Sequence, residues 1–152
     1  MSGPGQALFQ FVRHWARRWN AGAERGRDVM VAEAVHALAG RPEITVNEIA
    51  AELGLDQSGA SRLVAQAAGR GYLEVTASAA DGRRRTVELT EDGRDLLRAA
   101  HAWQEAVFAR LTGDWTPEER ADFHRAMLRL MSRSPELTAD PGALAEEKLT
   151  RA

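Results

Sequence analysis

Residues 45–93 read TVNEIAAELGLDQSGASRLVAQAAGRGYLEVTASAADGRRRTVELTEDG and contain several local signals of secondary structure. Thr45-Val46-Asn47-Glu48 has the pattern of a capping box, which predicts the start of a helix with Ile49, Ala50 and Leu53 on its apolar face. Gly54 then predicts a left-handed stop. Asp56 can cap a second helix over residues 57–70, which a further glycine ends. A connection this short makes two helices cross steeply, so the sequence predicts a helix-turn-helix.

The second of these helices has two different faces. Leu63, Val64 and Ala67 fall on one side and are expected to pack inward. The opposite side carries side chains that hydrogen-bond base edges and phosphates, and we predict that they contact DNA in the major groove: Gln57, Ser58, Ser61, Arg62 and Gln66. The alternative is a solvated helix face. The capped helix before it and the basic segment after it favour the DNA interpretation.

A β-hairpin is predicted after the two helices, with one arm over residues 72–76 and the other over residues 85–89. Residues 79–82 form the turn, since Asp-Gly is a strong hairpin signal. Arg83, Arg84 and Arg85 lie at or beside the tip. An arginine there can enter a minor groove while its neighbours bind phosphate. The alternative is a solvated run of charge.

The hairpin also carries a recognisable pattern. Asp81-x-Arg83, five further residues and Leu89-Thr90-x-x-Gly93 resemble the wing signature of MarR-type bacterial transcriptional regulators. The preceding helix pair resembles that family as well, and the resemblance extends over about residues 30–130. It implies a mainly α homodimer with a small β-hairpin wing, a winged helix-turn-helix in each subunit, and N- and C-terminal dimerisation helices.

The resemblance also assigns roles to residues. It implies that Arg83 reaches the minor groove and that Asp81 orients it, and it gives Gln57, Ser58, Ser61 and Arg62 the recognition-helix contacts. Gly59 and Ala60 depart from the pattern, because relatives often have a hydroxyl and a β-branched residue there. A phosphate contact is then absent, or the backbone approaches the DNA more closely.

Charge is distributed in agreement with DNA binding, although the net charge is only −2. Residues 57–86 carry five arginines, Arg70 among them, against two acids, whereas residues 28–56 carry one arginine against six acids. Residues 1–27 add five more arginines against one acid. The local field governs binding to a polyanion more than the total charge does.

Several classes of function lack their signals. The absence of cysteine excludes disulfides, thiolate metal sites and thiol-based redox sensing. The four histidines have no metal-ligand spacing, and there is no nucleophile elbow, phosphate loop or dinucleotide fingerprint, so we expect no enzyme, cofactor or metal. No membrane span or signal segment is apparent, and we expect a cytoplasmic protein.

The remaining sequence is helical in pattern. We predict helices over residues 6–20, from an Asp28 cap through 39, from Thr90 onward, and from the Thr116 capping box to about 132, with a loop over residues 20–28. Phe123, Met127, Leu130 and Met131 are expected to face inward on the last of these. The predicted segments are a dimerisation helix and loop (1–27), the winged domain (28–92), C-terminal dimerisation helices (93–134), and a tail (135–152) with a possible short helix over residues 143–151.

The amphipathic terminal helices need a second surface to cover them, which predicts a two-fold dimer. Trp15 and Trp19 lie one turn apart on the first helix, and with His36 and Trp103 they are candidates for a pocket that binds a small aromatic or anionic effector. The alternative is a core or dimer interface. Three functions stay open: an effector-responsive DNA-binding regulator, usually a repressor in the resembled family; an architectural or constitutive DNA-binding protein without a ligand; and a winged module that binds proteins.

Overall fold

The computed structural model describes residues 3–21 and 23–137, and side chains over residues 3–16 and 24–135. The elements in chain order are α1 (Pro4–Ala21), α2 (Ala23–Ala37), α3 (Val46–Leu53), α4 (Gln57–Gly69), β1 (Leu73–Ala77), β2 (Arg85–Leu89), α5 (Glu91–Leu111) and α6 (Pro117–Leu137). They confirm the predicted fold class, which is mainly helical with one antiparallel hairpin. The chain forms two compact units that divide within α5, after Gln104.

One hydrophobic core holds the helix-turn-helix and the hairpin together in the first unit. It is built from the inner faces of α2, α3, α4 and both strands: Val31, Ala34, Val35, Leu38, Ile49, Val64, Ala67, Leu73 and Val87. A smaller cluster joins Val29 and Ala32 of α2 to Leu96 and Leu97 of α5. The first half of α5 therefore packs on the same body as the recognition helix.

The caps predicted around the helix-turn-helix are present. The Thr45 amide donates to Glu48 Oε2 at 2.8 Å, and the Glu48 amide donates to Thr45 Oγ1 at 3.4 Å. The first of these bonds is the main reason that the pKa of Glu48 lies below its usual value, with Arg41 adding to the effect. Gly54 is left-handed at φ 64°, and the Gly59 amide donates to Asp56 Oδ1 at 2.9 Å.

The loop predicted over residues 20–28 is wrong, because α1 extends to Ala21 and α2 begins at Ala23. Asp28 is consequently not a helix cap but lies inside α2, where it is only 3% exposed. Its carboxylate accepts bonds from Arg70 Nε at 2.8 Å and Nη2 at 2.6 Å. The acid that suggested a helix start instead ties α2 to the end of α4.

The two strands of the hairpin lie close to the predicted residues, but the loop that connects them is longer than the predicted turn. Leu73 pairs with Leu89 and Ala77 with Arg85, which leaves residues 78–84 as the loop. The Arg84 amide donates to the Asp81 carbonyl at 2.9 Å, so the turn lies over residues 81–84 and not over 79–82 as predicted. Arg83 and Arg84 are thus in the loop, and Arg85 begins β2.

The junction between the hairpin and α5 is tightly packed. Thr90 Oγ1 donates to the Gly71 carbonyl at 2.6 Å and accepts from the Gly93 amide at 3.0 Å. The Thr90 amide donates to the Tyr72 carbonyl at 3.2 Å. A Cβ atom added to Gly93 would lie only 2.1 Å from that same Tyr72 oxygen. The position therefore accepts only glycine without a backbone shift.

The second unit contains the end of α5 and all of α6. The Thr116 capping box is present, with its amide 2.8 Å from Glu119 Oε2, but α6 continues through Pro135 to Leu137, beyond the predicted end near residue 132. Of the four side chains expected to face inward, only Met127 is half-buried; the others are exposed, namely Phe123, Leu130 and Met131. The short helix proposed over residues 143–151 lies outside the described residues.

Candidate nucleic-acid interface

The recognition helix α4 presents two faces of opposite character. Ala60, Val64 and Ala67 are buried at 0–2% exposure, and their small size lets α4 lie close to the core. The five side chains predicted to contact DNA are all on the exposed face: Gln57, Ser58, Ser61, Arg62 and Gln66. The structure therefore places them together on one solvent-facing surface of a rigidly held helix.

Most of these side chains keep their hydrogen-bonding groups available. Within the described part of the chain, Gln57, Ser61, Arg62 and Gln66 have no side-chain hydrogen bond or ion pair, whereas Ser58 Oγ donates to Asp56 Oδ2 at 2.9 Å. That hydroxyl, followed by the Gly59 amide, lowers the pKa of the Asp56 carboxyl. Ser58 therefore supports the helix cap, and the other four are the groups with unused donors and acceptors.

Gly59 and Ala60, the two residues that depart from the family pattern, lie in different environments. Ala60 is completely buried, so its side chain packs in the core and is not available to contact phosphate. Gly59 lies at the start of α4, and its amide is occupied by the Asp56 cap. A Cβ atom at Gly59 would come within 2.6 Å of the capping oxygen. Glycine at this position thus preserves a close cap.

Arg70 is one of the five arginines of residues 57–86, but it does not belong to the surface available to DNA. Besides its two bonds to Asp28, its Nη1 lies 3.1 Å from Glu24 Oε1. Hydrogen bonding to Asp28 raises the pKa of the Arg70 guanidinium. The basic charge that remains around α4 and the hairpin is carried by Arg62 and by the three arginines of the wing.

The wing exposes Arg83 and Arg84 in its loop and Arg85 at the start of β2, and none of the three guanidinium groups forms an ion pair with another residue that the structure describes. Asp81 Oδ1 accepts the Arg83 amide at 3.1 Å. The aspartate therefore fixes the backbone of the arginine that it was expected to orient. The guanidinium groups keep all of their donors for an external partner.

No local sequence pattern indicates the polar cluster that lies at the base of the wing. Ser78 is 5% exposed, and its hydroxyl lies 2.8 and 2.7 Å from the two carboxylate oxygens of Glu43. Glu43 Oε1 also accepts the Ala79 amide at 3.1 Å. The two residues are 35 positions apart, so no local spacing could have identified the pair.

Comparison with known proteins agrees with this geometry. Residues 26–84 match a family model described as MarR family. The matched segment, which holds the helix-turn-helix and most of the wing, is similar to the MarR family, and the chain has the winged helix-turn-helix fold. The apo MarR structure from E. coli has a TM-score of 0.69 and 18% identity, covering 86% of this chain and 97% of that one. No curated protein matches the sequence.

Two further solved structures with the same fold involve DNA or a small molecule that regulates DNA binding. A mutant MepR of S. aureus bound to an oligodeoxyribonucleotide has a TM-score of 0.59 and 18% identity, covering 86% of this chain and 98% of that one. BpsR of Bordetella bronchiseptica, whose DNA binding is regulated by 6-hydroxynicotinic acid, has a TM-score of 0.56 and 22% identity, with coverages of 84% and 98%. At these sequence identities, the structural similarity establishes the fold alone.

Beside the winged domain lies a cavity of about 550 Å³ between α1, α2, α3 and the middle of α5. Its walls are mainly apolar, and its polar minority consists of Arg27, Glu33, Glu52 and Gln104. Glu33 Oε1 lies 2.7 Å from His101 Nε2, which links α2 to α5 at the cavity wall. The volume is in the range of small-molecule sites.

The residues suggested for an effector pocket are only partly brought together. Trp15 and Trp103 contact each other edge to face with ring centroids 6.3 Å apart, and their neighbours Ala16 and Gln104 line the cavity. His36 instead lies against His101, at 6.2 Å, and lines a second cavity between α2, β2 and α5. The Trp19 side chain lies outside the described residues.

Over the described part of the chain, no helix is long and apolar enough to cross a membrane. The same part contains no group of three or more histidine, aspartate or glutamate side chains that could hold a metal ion.

Proposed function

We propose that this protein is a sequence-specific, double-stranded DNA-binding transcriptional regulator. The observation that carries the proposal is the set of exposed cationic and amide side chains on α4 and the wing that form no hydrogen bond or ion pair among the described residues. Arg70, close to them in sequence, is neutralised by Asp28, and this contrast singles out Arg62 and the wing arginines. In the proposed complex the recognition helix α4 (Gln57–Gly69) enters the major groove and the wing, residues 72–89, reaches the minor groove.

We further propose that the protein acts as a homodimer on a pseudo-palindromic operator. Large apolar side chains are exposed on the terminal helices, including Phe9 at 65% on α1 and Met131 at 63% on α6. Such surfaces favour association with a second copy. A two-fold dimer would place two recognition helices about 34 Å apart, one helical turn of DNA. Sedimentation equilibrium at micromolar concentration tests this, and a monomer that still binds the operator refutes it.

A repressor released by a small effector is the regulatory scheme that we propose. The cavity beside the winged domain supports it, because α2 and α5 both line the cavity and both pack on the recognition-helix body. An anionic ligand would meet Arg27 but also the carboxylates of Glu33 and Glu52, so we propose an uncharged aromatic ligand.

Thermal-shift titration with simple phenols tests the effector proposal. Ala37 lines this cavity and Ala39 lines the second one. Ala37→Phe should abolish the stabilisation by ligand and the accompanying loss of DNA binding, while Ala39→Phe, the matched control, should keep both. Equal responses of the two variants would exclude this cavity as the effector site.

The decisive experiment for DNA binding is fluorescence anisotropy against the duplex upstream of the protein's own coding region and against a scrambled duplex, at near-physiological salt. A preference of about a thousandfold supports a specific regulator. Weak and equal binding to both duplexes would favour an architectural protein. Failure to bind either duplex would refute the proposal and would favour a protein as the partner of the wing arginines.

Two substitutions separate the proposed contacts. Arg83→Ala should weaken binding to all duplexes and reduce the slope of log affinity against log salt by about 0.9. Arg62→Ala should relax preference at one base position, at a cost of about 1–3 kcal/mol if it reads a base. Arg129→Ala removes an exposed arginine of α6 and serves as the control; an equal effect there would mean that only total charge matters.

A further inference from the structure

The wing loop is attached to the body of the winged domain by Glu43, a residue of the α2–α3 connection. Its carboxylate accepts the Ser78 hydroxyl through both oxygens, at 2.8 and 2.7 Å, and the Ala79 amide at 3.1 Å. Next to Glu43, the Ile44 carbonyl accepts the Val87 amide at 2.8 Å. The connection therefore contacts the hairpin at the start of the loop and again in β2.

From Ser78 the hydrogen bonds continue toward the tip of the loop. Ser78 Oγ accepts the amides of Ala80 and Asp81, both at 3.1 Å. The Asp81 carboxylate then accepts the Arg83 amide at 3.1 Å. A continuous chain of bonds thus runs from the Glu43 carboxylate, through one buried hydroxyl, to the backbone of Arg83.

The charge of Glu43 makes this arrangement informative. An acid near a surface that binds phosphate repels the DNA and by itself weakens binding. None of the wing guanidinium groups pairs with Glu43 among the described contacts, so it does not neutralise them. All of its hydrogen bonds go to the loop, and their effect is to restrict the loop before DNA arrives, which lowers the entropic cost of binding.

We propose that Glu43 and Ser78 are positioning residues for DNA binding, which hold the wing loop so that Arg83 enters the groove without first being ordered. This inference rests on the proposed function, because it requires that the wing contacts DNA. It predicts that removing an acidic charge at Glu43 weakens binding to a polyanion, the opposite of what electrostatics alone would give.

The test measures affinity of the full chain for its upstream duplex by anisotropy over a range of salt concentrations. Glu43→Ala should weaken binding by roughly tenfold. Ser78→Ala leaves the charge unchanged and removes the acceptor for two loop amides, and it should weaken binding similarly. Glu74→Ala is the control: it removes an exposed acid of β1 that forms no bond to the loop, and it should leave affinity unchanged or slightly higher.

A double-mutant cycle separates positioning from a general loss of structure. In an Arg83→Ala background, Glu43→Ala should change affinity by less than about twofold, since there is no arginine left to position. Glu43→Ala alone should also reduce the salt slope, as Arg83→Ala does. Thermal unfolding of each variant shows that the fold is retained; if Glu43→Ala unfolds, Ser78→Ala carries the same test.

The outcomes distinguish the two proposals. If Arg83→Ala weakens binding but both Glu43→Ala and Ser78→Ala bind as tightly as the wild type, or more tightly, the positioning inference is overturned and the proposed function stands. Additive effects of Glu43→Ala and Arg83→Ala would overturn it as well. If the wild type does not bind duplex DNA, or Arg83→Ala has no effect, wing binding to DNA fails and the inference fails with it.

Discussion

Gly93→Ala should destabilise this protein far more than an ordinary glycine-to-alanine change. The added methyl would lie 2.1 Å from the Tyr72 carbonyl oxygen and 3.1 Å from Leu89 Cδ2. Ordinary contacts of a Cβ atom begin near 3.4 Å, so the α5 terminus and the Tyr72 carbonyl must separate by about 1 Å. That movement strains the bond from the Thr90 amide to the same carbonyl.

We expect a loss of at least about 3 kcal/mol in the free energy of unfolding, at the upper end for an overpacked site, because the obstructing atom is backbone and cannot change rotamer. Urea denaturation followed by circular dichroism measures this. For a chain of this size the melting temperature should fall by roughly 6–12 °C. The variant and the wild type are compared at one protein concentration, since association would add to apparent stability.

Gly69→Ala provides a control of opposite sign. Gly69 is the last residue of α4, and a Cβ atom there meets nothing within 4 Å. Alanine should therefore be neutral or stabilise by up to about 1 kcal/mol, because it restricts the unfolded chain. If Gly93→Ala unfolds within about 0.5 kcal/mol of the wild type, the close packing at the hairpin–α5 junction is not as described.

Three further predictions concern buried and capping groups. Asp28→Asn should reduce the free energy of unfolding by about 2 kcal/mol in urea denaturation, because the amide places donors against the Arg70 guanidinium. Glu48→Gln should destabilise at pH 6, and the difference from the wild type should shrink as the pH is lowered below 4.5. The folded-state pKa of Glu48 is lowered, mainly by the Thr45 amide, so its contribution is complete above its usual pKa and is lost as the pH falls through the folded value. A pH-independent difference would contradict this. Thr116→Ala should cost about 1 kcal/mol and increase amide exchange in the first turn of α6, whereas unchanged exchange would argue against the cap.

The helix-turn-helix was predictable because its signals are local. The Thr45 capping box, the left-handed Gly54 and the Asp56 cap each act within four residues, and a short-range pattern identifies them completely. The exposed face of α4 followed from helical periodicity in the same way. These elements confirm that capping chemistry and periodicity decide this part of the fold.

The errors arose where a distant residue determines the local structure. Asp28 resembles a helix cap in sequence, but its carboxylate is bound by Arg70, 42 positions later, and the surrounding residues continue as helix. The Asp81-Gly82 pair predicted a tight turn, but Ser78 is held by Glu43, 35 positions earlier, which leaves a seven-residue loop over 78–84. Contacts between residues so far apart in the chain produce no periodic pattern that can be recognised in a single sequence.

One side of α4 is buried and rich in alanine, and the other is polar and exposed. This division has a consequence for the evolution of the amino-acid sequence. Substitutions at 57, 61, 62 and 66 change exposed side chains that form no hydrogen bond or ion pair within the described residues, so they carry little penalty in folding. Operator preference can therefore drift, or be redesigned, through these few positions while the scaffold stays intact. Retargeting this domain to a new DNA sequence should require libraries at four codons, with the inner face left untouched.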